Sequence, residues 1–281
     1  MFDWLYNFSD EFIILFWISL IMGLTFGLIK LIRASFGSEV VKRGSKLASD
    51  LHPSVVVLCS LVLTFSLLQV LDDVHKVDAL VAAEATQINN LDRILTRYGD
   101  PSAEIVRPAL HIYAKSIVQE EWPMLLKGQG SQATLDKFKP LSQGIFRLQP
   151  HGERQTALFA KAIELSEQIA QSRDARIETS LIRLPLIYWL VIALTFIAVA
   201  GISGILESDK LGVFQISLLM MALAGMVALI FAYDRPYLGD SGVKPGAIEK
   251  AIEGMDARQS EIKLPQSIKL TQLSVNKYVS H

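Results

Sequence analysis

PSVVVLCSLVLTFSLLQVLDDVHKVDALVAAEATQINNLDRILTRY, residues Pro53 to Tyr98, decides how the rest of the chain is read. Its first part, Pro53 to Leu71, carries no formal charge and has the length of a membrane span. Its second part opens on Asp72, Asp73, His75 and Lys76 and is polar and heptad-like. No Gly or Pro divides the two parts, so the pattern predicts one helix that leaves a bilayer and continues as a stalk. About 46 residues at 1.5 Å each make roughly 70 Å, more than a bilayer is thick. Above the membrane, Val74, Val77, Leu80, Val81, Ala85, Ile88, Leu91 and Leu95 recur at helical spacing and form an apolar stripe.

Three further apolar runs complete the membrane part: Phe12 to Ile32, Leu184 to Leu206 and Leu211 to Tyr233. They account for the 51% apolar content and the mean hydropathy of +0.36. Met1 to Asp10 has no Lys or Arg, so a cleavable leader is not expected and the first run stays as an anchor. Phe2, Trp4, Tyr6 and Phe8 beside Asp3 and Asp10 suit a segment at headgroup level. Gly23 and Gly27 form a small-xxx-small pair that suggests a close helix contact; Ala222, Ala224, Gly225 and Ala228 do the same in the fourth run. The expected fold is all-α, with transmembrane hairpins over 12–72 and 184–233, an extramembrane helical bundle over 73–183, and a C-terminal extramembrane tail over 234–281.

Between the spans the chain is punctuated. Ala34 to His52, with Lys42, Arg43 and Lys46, reads as a short polar loop. Gly99-Asp100-Pro101 ends the long helix, and the helix after it runs to about Leu126 with Pro108 and Pro123 as kinks. Gln132 to Phe146 reads as a helix with a break at Pro140. Glu153 to Ile182 reads as a long amphipathic helix, and Pro185 as a kink at the membrane surface. Ala247 to Met255 fits a short helix, and Ile262 to His281 a strand-like or unstructured tail. An even number of spans puts both termini and the bundle on one side. The basic first loop favours the cytoplasm for itself, which places the bundle outside.

The net charge of −1 carries no nucleic-acid footprint. Cys59, the one cysteine, cannot form an internal disulfide. No P-loop, Gly-x-Gly-x-x-Gly, Gly-x-Ser-x-Gly or His-Glu-x-x-His occurs, so no enzyme is expected. Polar groups in the spans are few. Ser60, Thr64 and Gln69 lie near one face of the second span, where they would bond neighbouring helices or, in an oligomer, line a pore. Counting up and down the helices puts Glu84, Glu120, Glu121 and Arg173 at one height, with Arg176 one turn lower. The plain reading is a salt-bridge layer in which arginines offset buried carboxylates. The sharper one is a cation site, since three carboxylates with water would suffice for Ca²⁺.

Several short motifs resemble the bestrophin-like membrane proteins of bacteria and plants, a family defined by a domain of unknown function. They are Glu84-Ala85 after the second span, Tyr113 followed by Glu120-Glu121-Trp122-Pro123, and Arg173 with Arg176 before the third span. Pro185 with Trp189 and Asp234-Arg235-Pro236-Tyr237-Leu238-Gly239 complete the set. Tyr237 stands where the family usually has Phe, and Pro53 to Leu71 holds no Ile-Pro-Phe neck of the animal bestrophins. The resemblance implies a four-span helical protein akin to oligomeric anion channels whose termini face the cytoplasm, opposite to the charge count. The function expected is a ring-shaped homo-oligomeric ion channel of the bacterial inner membrane, in contact with lipid and small ions, its pore lined by the second span. The alternative is a non-conducting scaffold or sensor whose bundle binds a partner or a metal.

Overall fold

The computed structural model describes residues 3–206 and 210–263. Within them the chain is all-α, with no strand. A 3₁₀ turn over Asp3–Asn7 leads into helix α1, Asp10–Tyr98. There follow α2, Pro101–Ser116, a π-helical turn over Ile117–Glu121, and α3, Trp122–Leu125. Next come α4, Gln132–Phe146, and α5, Gly152–Thr179. Then come α6, Leu186–Ile205, α7, Lys210–Tyr233, and α8, Gly246–Lys263. Four stretches are long and apolar enough to cross a membrane: Asp10–Ser35, Arg43–Tyr98, Leu186–Ile205 and Lys210–Tyr233. Residues 207–209, between the third and fourth apolar runs, and 264–281 of the tail read over Ile262 to His281 lie outside the described residues, while Ile262 and Lys263 end α8.

Two compact units form, and both are discontinuous in sequence. One comprises 1–77 and 181–243, the other 78–180 and 244–281. The boundary between Val77 and Asp78 falls inside α1, which is helical without interruption from Pro53 to Tyr98.

The first unit is built on the apolar spans. Ile21 and Ile29 share one core with Cys59, Leu63 and Val70, with Ile192 and Val199 of α6, and with Met220, Ala224 and Val227 of α7. Ala34 to His52, expected as a loop, is helical. Its two glycines are isolated and each costs a helix only about 1 kcal/mol, too little to stop one. The helix cannot be straight there. Over the 19 positions from Arg33 to His52 a straight helix rises about 28 Å. Yet the Arg33 guanidinium donates to Gly204 O at 3.2 Å, and His52 Nε2 lies 3.0 Å from Ser203 Oγ. α1 therefore bends sharply between them, in a stretch where Gly37-Ser38 and Gly44-Ser45 are the readiest places for a helix to bend.

Of the small residues expected to allow close packing in α7, Ala224 and Ala228 are fully buried, while an added Cβ at Gly225 meets nothing within 4 Å. An added Cβ at Gly23 or Gly27 meets nothing within 4 Å, so this pair makes no close contact. Gly204 does: its added Cβ would stand 3.1 Å from Ile32 Cδ1. The N-terminal aromatic segment is half interior. Trp4 and Phe8 are exposed, but Leu5 and Tyr6 are buried with Ile13 and Phe231. Tyr6 stacks on Phe231 at 4.8 Å and donates to its carbonyl at 2.6 Å.

In the second unit the apolar stripe of α1 is buried from Val81 through Leu95, as are Ala103, Val106, Leu110 and Tyr113 of α2 and Ala162, Leu165 and Ile169 of α5. Asp100 caps α2 by accepting from Ser102 N at 2.8 Å, and Ser131 caps α4 by accepting from Thr134 N at 3.3 Å. Pro108 and Pro140 lie inside their helices without breaking them, whereas Pro185 ends a break and caps α6. α8 is longer than its sequence pattern suggested and belongs with the second unit.

Candidate functional site

The charged groups brought together in the second unit are Glu84, Glu121, Arg173 and Arg176. Arg173 and Arg176 are three residues apart on α5, hence on one face. Glu84 comes from α1 and Glu121 from the last residue of the π turn. Arg176 is fully buried and bridges two fully buried carboxylates: Nη1 donates to Glu84 Oε2, and Nη2 to Glu121 Oε2 at 2.8 Å. Arg173 grips Glu121 with both ends of its fork, Nε to Oε2 at 3.1 Å and Nη2 to Oε1 at 2.6 Å. It also donates to Ser131 O at 3.0 Å, and Ser131 N donates back to Glu121 Oε1 at 3.3 Å. Tyr113 Oη lies 3.4 Å from Glu84 Oε1. Two carboxylates face two guanidinium groups, so the cluster is formally neutral, as burial demands.

Burial pushes the Glu84 carboxyl above the ordinary carboxylate range, with Arg176 pulling the other way and Glu121 adding to the rise. Burial, then the neighbouring Glu84, holds the Tyr113 phenol well above its usual value. Tyr113 is therefore a neutral donor, and its ring packs on Phe138 at 5.1 Å.

Glu120 is not part of this arrangement. Adjacent residues of a helical turn point to different sides, and Glu120 points outward to Lys137 Nζ. Glu84, Glu120 and Glu121 thus do not converge as a cation site would require, and Arg176 occupies the space between Glu84 and Glu121. Among the described residues no three His, Cys, Asp or Glu side chains are grouped to hold a metal. A π turn, Ile117–Glu121, stands immediately before Pro123. Pro123 has no N–H and its ring clashes with the carbonyl four residues back, and a wider turn just before it accommodates this.

A second charge network went unread in the sequence. Asp92, 2% exposed, accepts from Arg107 Nε at 2.9 Å and from Arg258 Nε of α8 at 2.7 Å, while Arg258 Nη2 donates to Asn89 at 2.6 Å. His111 Nε2 lies 2.8 Å from Asp256 Oδ1, also on α8. Asp92 and Arg258 are 166 residues apart, and no local pattern pairs them.

The remaining motif residues have separate places. Trp122 is buried and Pro123 exposed. In the first unit, Asp234 Oδ1 accepts from Leu184 N at 2.5 Å, just ahead of α6. Asp234→Ala is expected to cost about 1 kcal/mol, the usual value of a lost helix-end acceptor, read as a lower melting temperature of the purified protein. Beyond it the chain closes on itself: Leu238 N donates to Arg235 O at 3.0 Å and Val243 N to Pro236 O at 2.7 Å. Tyr237 is buried, and Gly239 has φ +74°, a left-handed conformation that suits glycine.

On the second span, Ser60 Oγ donates to Val56 O at 2.9 Å and Thr64 Oγ1 to Ser60 O at 2.8 Å, each one turn back. Gln69 Nε2 bonds Asp73 at 3.3 Å. Ser60 is half-buried; Thr64 and Gln69 are exposed, on a face shared with Leu58, Leu61, Phe65 and Leu68.

The bestrophin-like domain family matches residues 19–248. The chain is also similar to a crystal structure of a membrane protein, with a TM-score of 0.62 at 10% identity, over 86% of this chain and 97% of that one. That likeness shows a shared fold. No curated protein matches the chain. A family match over most of the sequence, on an all-helical chain with four stretches able to cross a membrane, makes this protein a member of the bestrophin-like family.

Proposed function

We propose that the chain forms a homo-oligomeric ion channel of the bacterial inner membrane, with the second span of α1 lining the conduction path. The observation that supports this most is the outer face of that span. Cys59, Leu63, Ser66 and Val70 are buried in the core of the first unit, and the opposite face is left uncovered. That face carries Thr64 and Gln69 among Leu58, Leu61, Phe65 and Leu68. Lipid-facing positions have no use for polar groups, whereas an ion leaving water needs them. Kinship with the bestrophin channels supports the same reading.

Purified protein reconstituted in planar bilayers is expected to conduct, and Thr64→Leu to lower the current at equal incorporation. Thr64 donates only within its own helix, so this change leaves the rest of the unit intact and its effect reports on the path. Silence of folded, oligomeric protein across pH, voltage and Ca²⁺ concentration overturns the channel reading in favour of a scaffold or sensor. So does a protein that is monomeric in the membrane.

A further inference from the structure

The first unit contains an apolar trough that neither the channel reading nor the family assigns. It lies between the first span and α6, with Val227 of α7 as its floor, and has a volume of about 320 Å³. Trp17 and Trp189 stand at one end, their rings nearly parallel at 6.3 Å. From there it follows Trp17 to Leu28 on one wall and Trp189 to Ala200 on the other. Both walls cover 11 helical steps, about 16 Å. Ala193 and Ala200 leave the gap on the α6 side, where larger side chains would close it.

We propose that this trough is a binding site for one lipid acyl chain. The walls belong to spans in contact with the bilayer, and Leu24 and Ile197, which border it, are 65% and 57% exposed. The trough is therefore continuous with the lipid-contacting surface. Its tryptophan end lies near the start of both spans, where indoles sit at membrane interfaces, so a lipid with its headgroup at that surface can lay its chain inward. The length matches: half of a hydrocarbon core of about 30 Å is about 15 Å, the reach of one leaflet's chains. The lining is apolar apart from Thr25 and the two indole N–H groups. A chain of methylenes brings no polar group that would need a partner there, whereas an extended peptide would bring unsatisfied amides. The cavity is one continuous trough. A helix from a second copy would instead call for a row of separate holes to take its knobs.

The test uses the full chain, delipidated in detergent, with Trp4→Phe to remove an exposed fluorophore; Trp122, in the second unit, stays as an internal reference. A phosphatidylcholine with a brominated acyl chain is titrated in. The expected result is a saturable loss of the Trp17 and Trp189 emission at one lipid per protomer. Ala200→Phe, which fills the trough from within, and Ala193→Phe, which narrows it from the exposed rim and leaves the core untouched, should each weaken that binding about tenfold or more. Quenching that rises without saturating, or that is equal in wild type and both variants, overturns the proposal and reduces the trough to bulk lipid contact. Emission that brominated lipid never reaches, together with an Ile197→Cys crosslink between copies, overturns it in favour of a second copy. Neither outcome depends on whether the protein conducts.

Discussion

Arg176→Met is expected to destabilise the second unit more than any other single change in its charge cluster, and the loss should deepen as the pH rises. Among the described residues Arg176 is the one group that bonds both Glu84 and Glu121, and all three are fully buried. Removing one partner of a buried ion pair costs about 3–5 kcal/mol, because the stranded charge keeps its desolvation penalty. The pH dependence follows from linkage. Burial already raises the Glu84 pKa and Arg176 opposes that rise. Without the arginine the folded-state pKa climbs further above its unfolded value. A carboxyl shifted upward contributes its stability below the unfolded pKa and loses it as pH rises through the folded one. The melting temperature of Arg176→Met should therefore fall from mildly acidic to mildly alkaline buffer, and adding Glu84→Gln should recover part of the loss and flatten the profile. Arg173→Met should cost less, since Arg176 still covers Glu121. Equal melting of the two arginine variants, or a flat profile for Arg176→Met, would contradict this account.

Gly242→Ala should disrupt the turn that follows α7. A Cβ there would stand 2.5 Å from Leu238 O, 2.9 Å from Tyr237 C and 3.0 Å from Leu238 C. These are backbone atoms of the same turn, with no rotamer by which to move aside. Relief requires the turn to open, which breaks the bond from Val243 N to Pro236 O and loosens buried Tyr237. Strain plus the lost hydrogen bond come to about 2–4 kcal/mol. Gly23→Ala is the control, since its Cβ meets nothing and alanine favours a helix. Melting curves of the detergent-purified variants separate the two, and a wild-type curve for Gly242→Ala would show that the turn yields without cost.

The unbroken helix from Pro53 to Tyr98 was legible because no residue between them breaks a helix. Counting along helices put Glu84, Glu121, Arg173 and Arg176 at related heights, since height depends only on residue number. Height does not give direction: adjacent residues of a helical turn diverge, so Glu120 goes to Lys137 while Glu121 goes inward. Ala34 to His52 misled because its charges suggest a loop while its backbone has nothing strong enough to end a helix. Asp92 with Arg258 was out of reach, because no periodicity links residues brought together only by tertiary folding.

That last pair has a consequence for how the protein is made. α8 is synthesised after the third and fourth spans, yet it belongs with helices completed before them. At about 5–20 residues per second, the 166 residues from Asp92 to Arg258 take roughly 8–33 s to translate. Through most of that interval Arg107 is in place beside Asp92 while Arg258 is not yet made. α6 and α7 are therefore complete before α8 can dock, and a nascent chain stalled or cut short between Val243 and Arg258 carries all four candidate spans but lacks the clasp on Asp92.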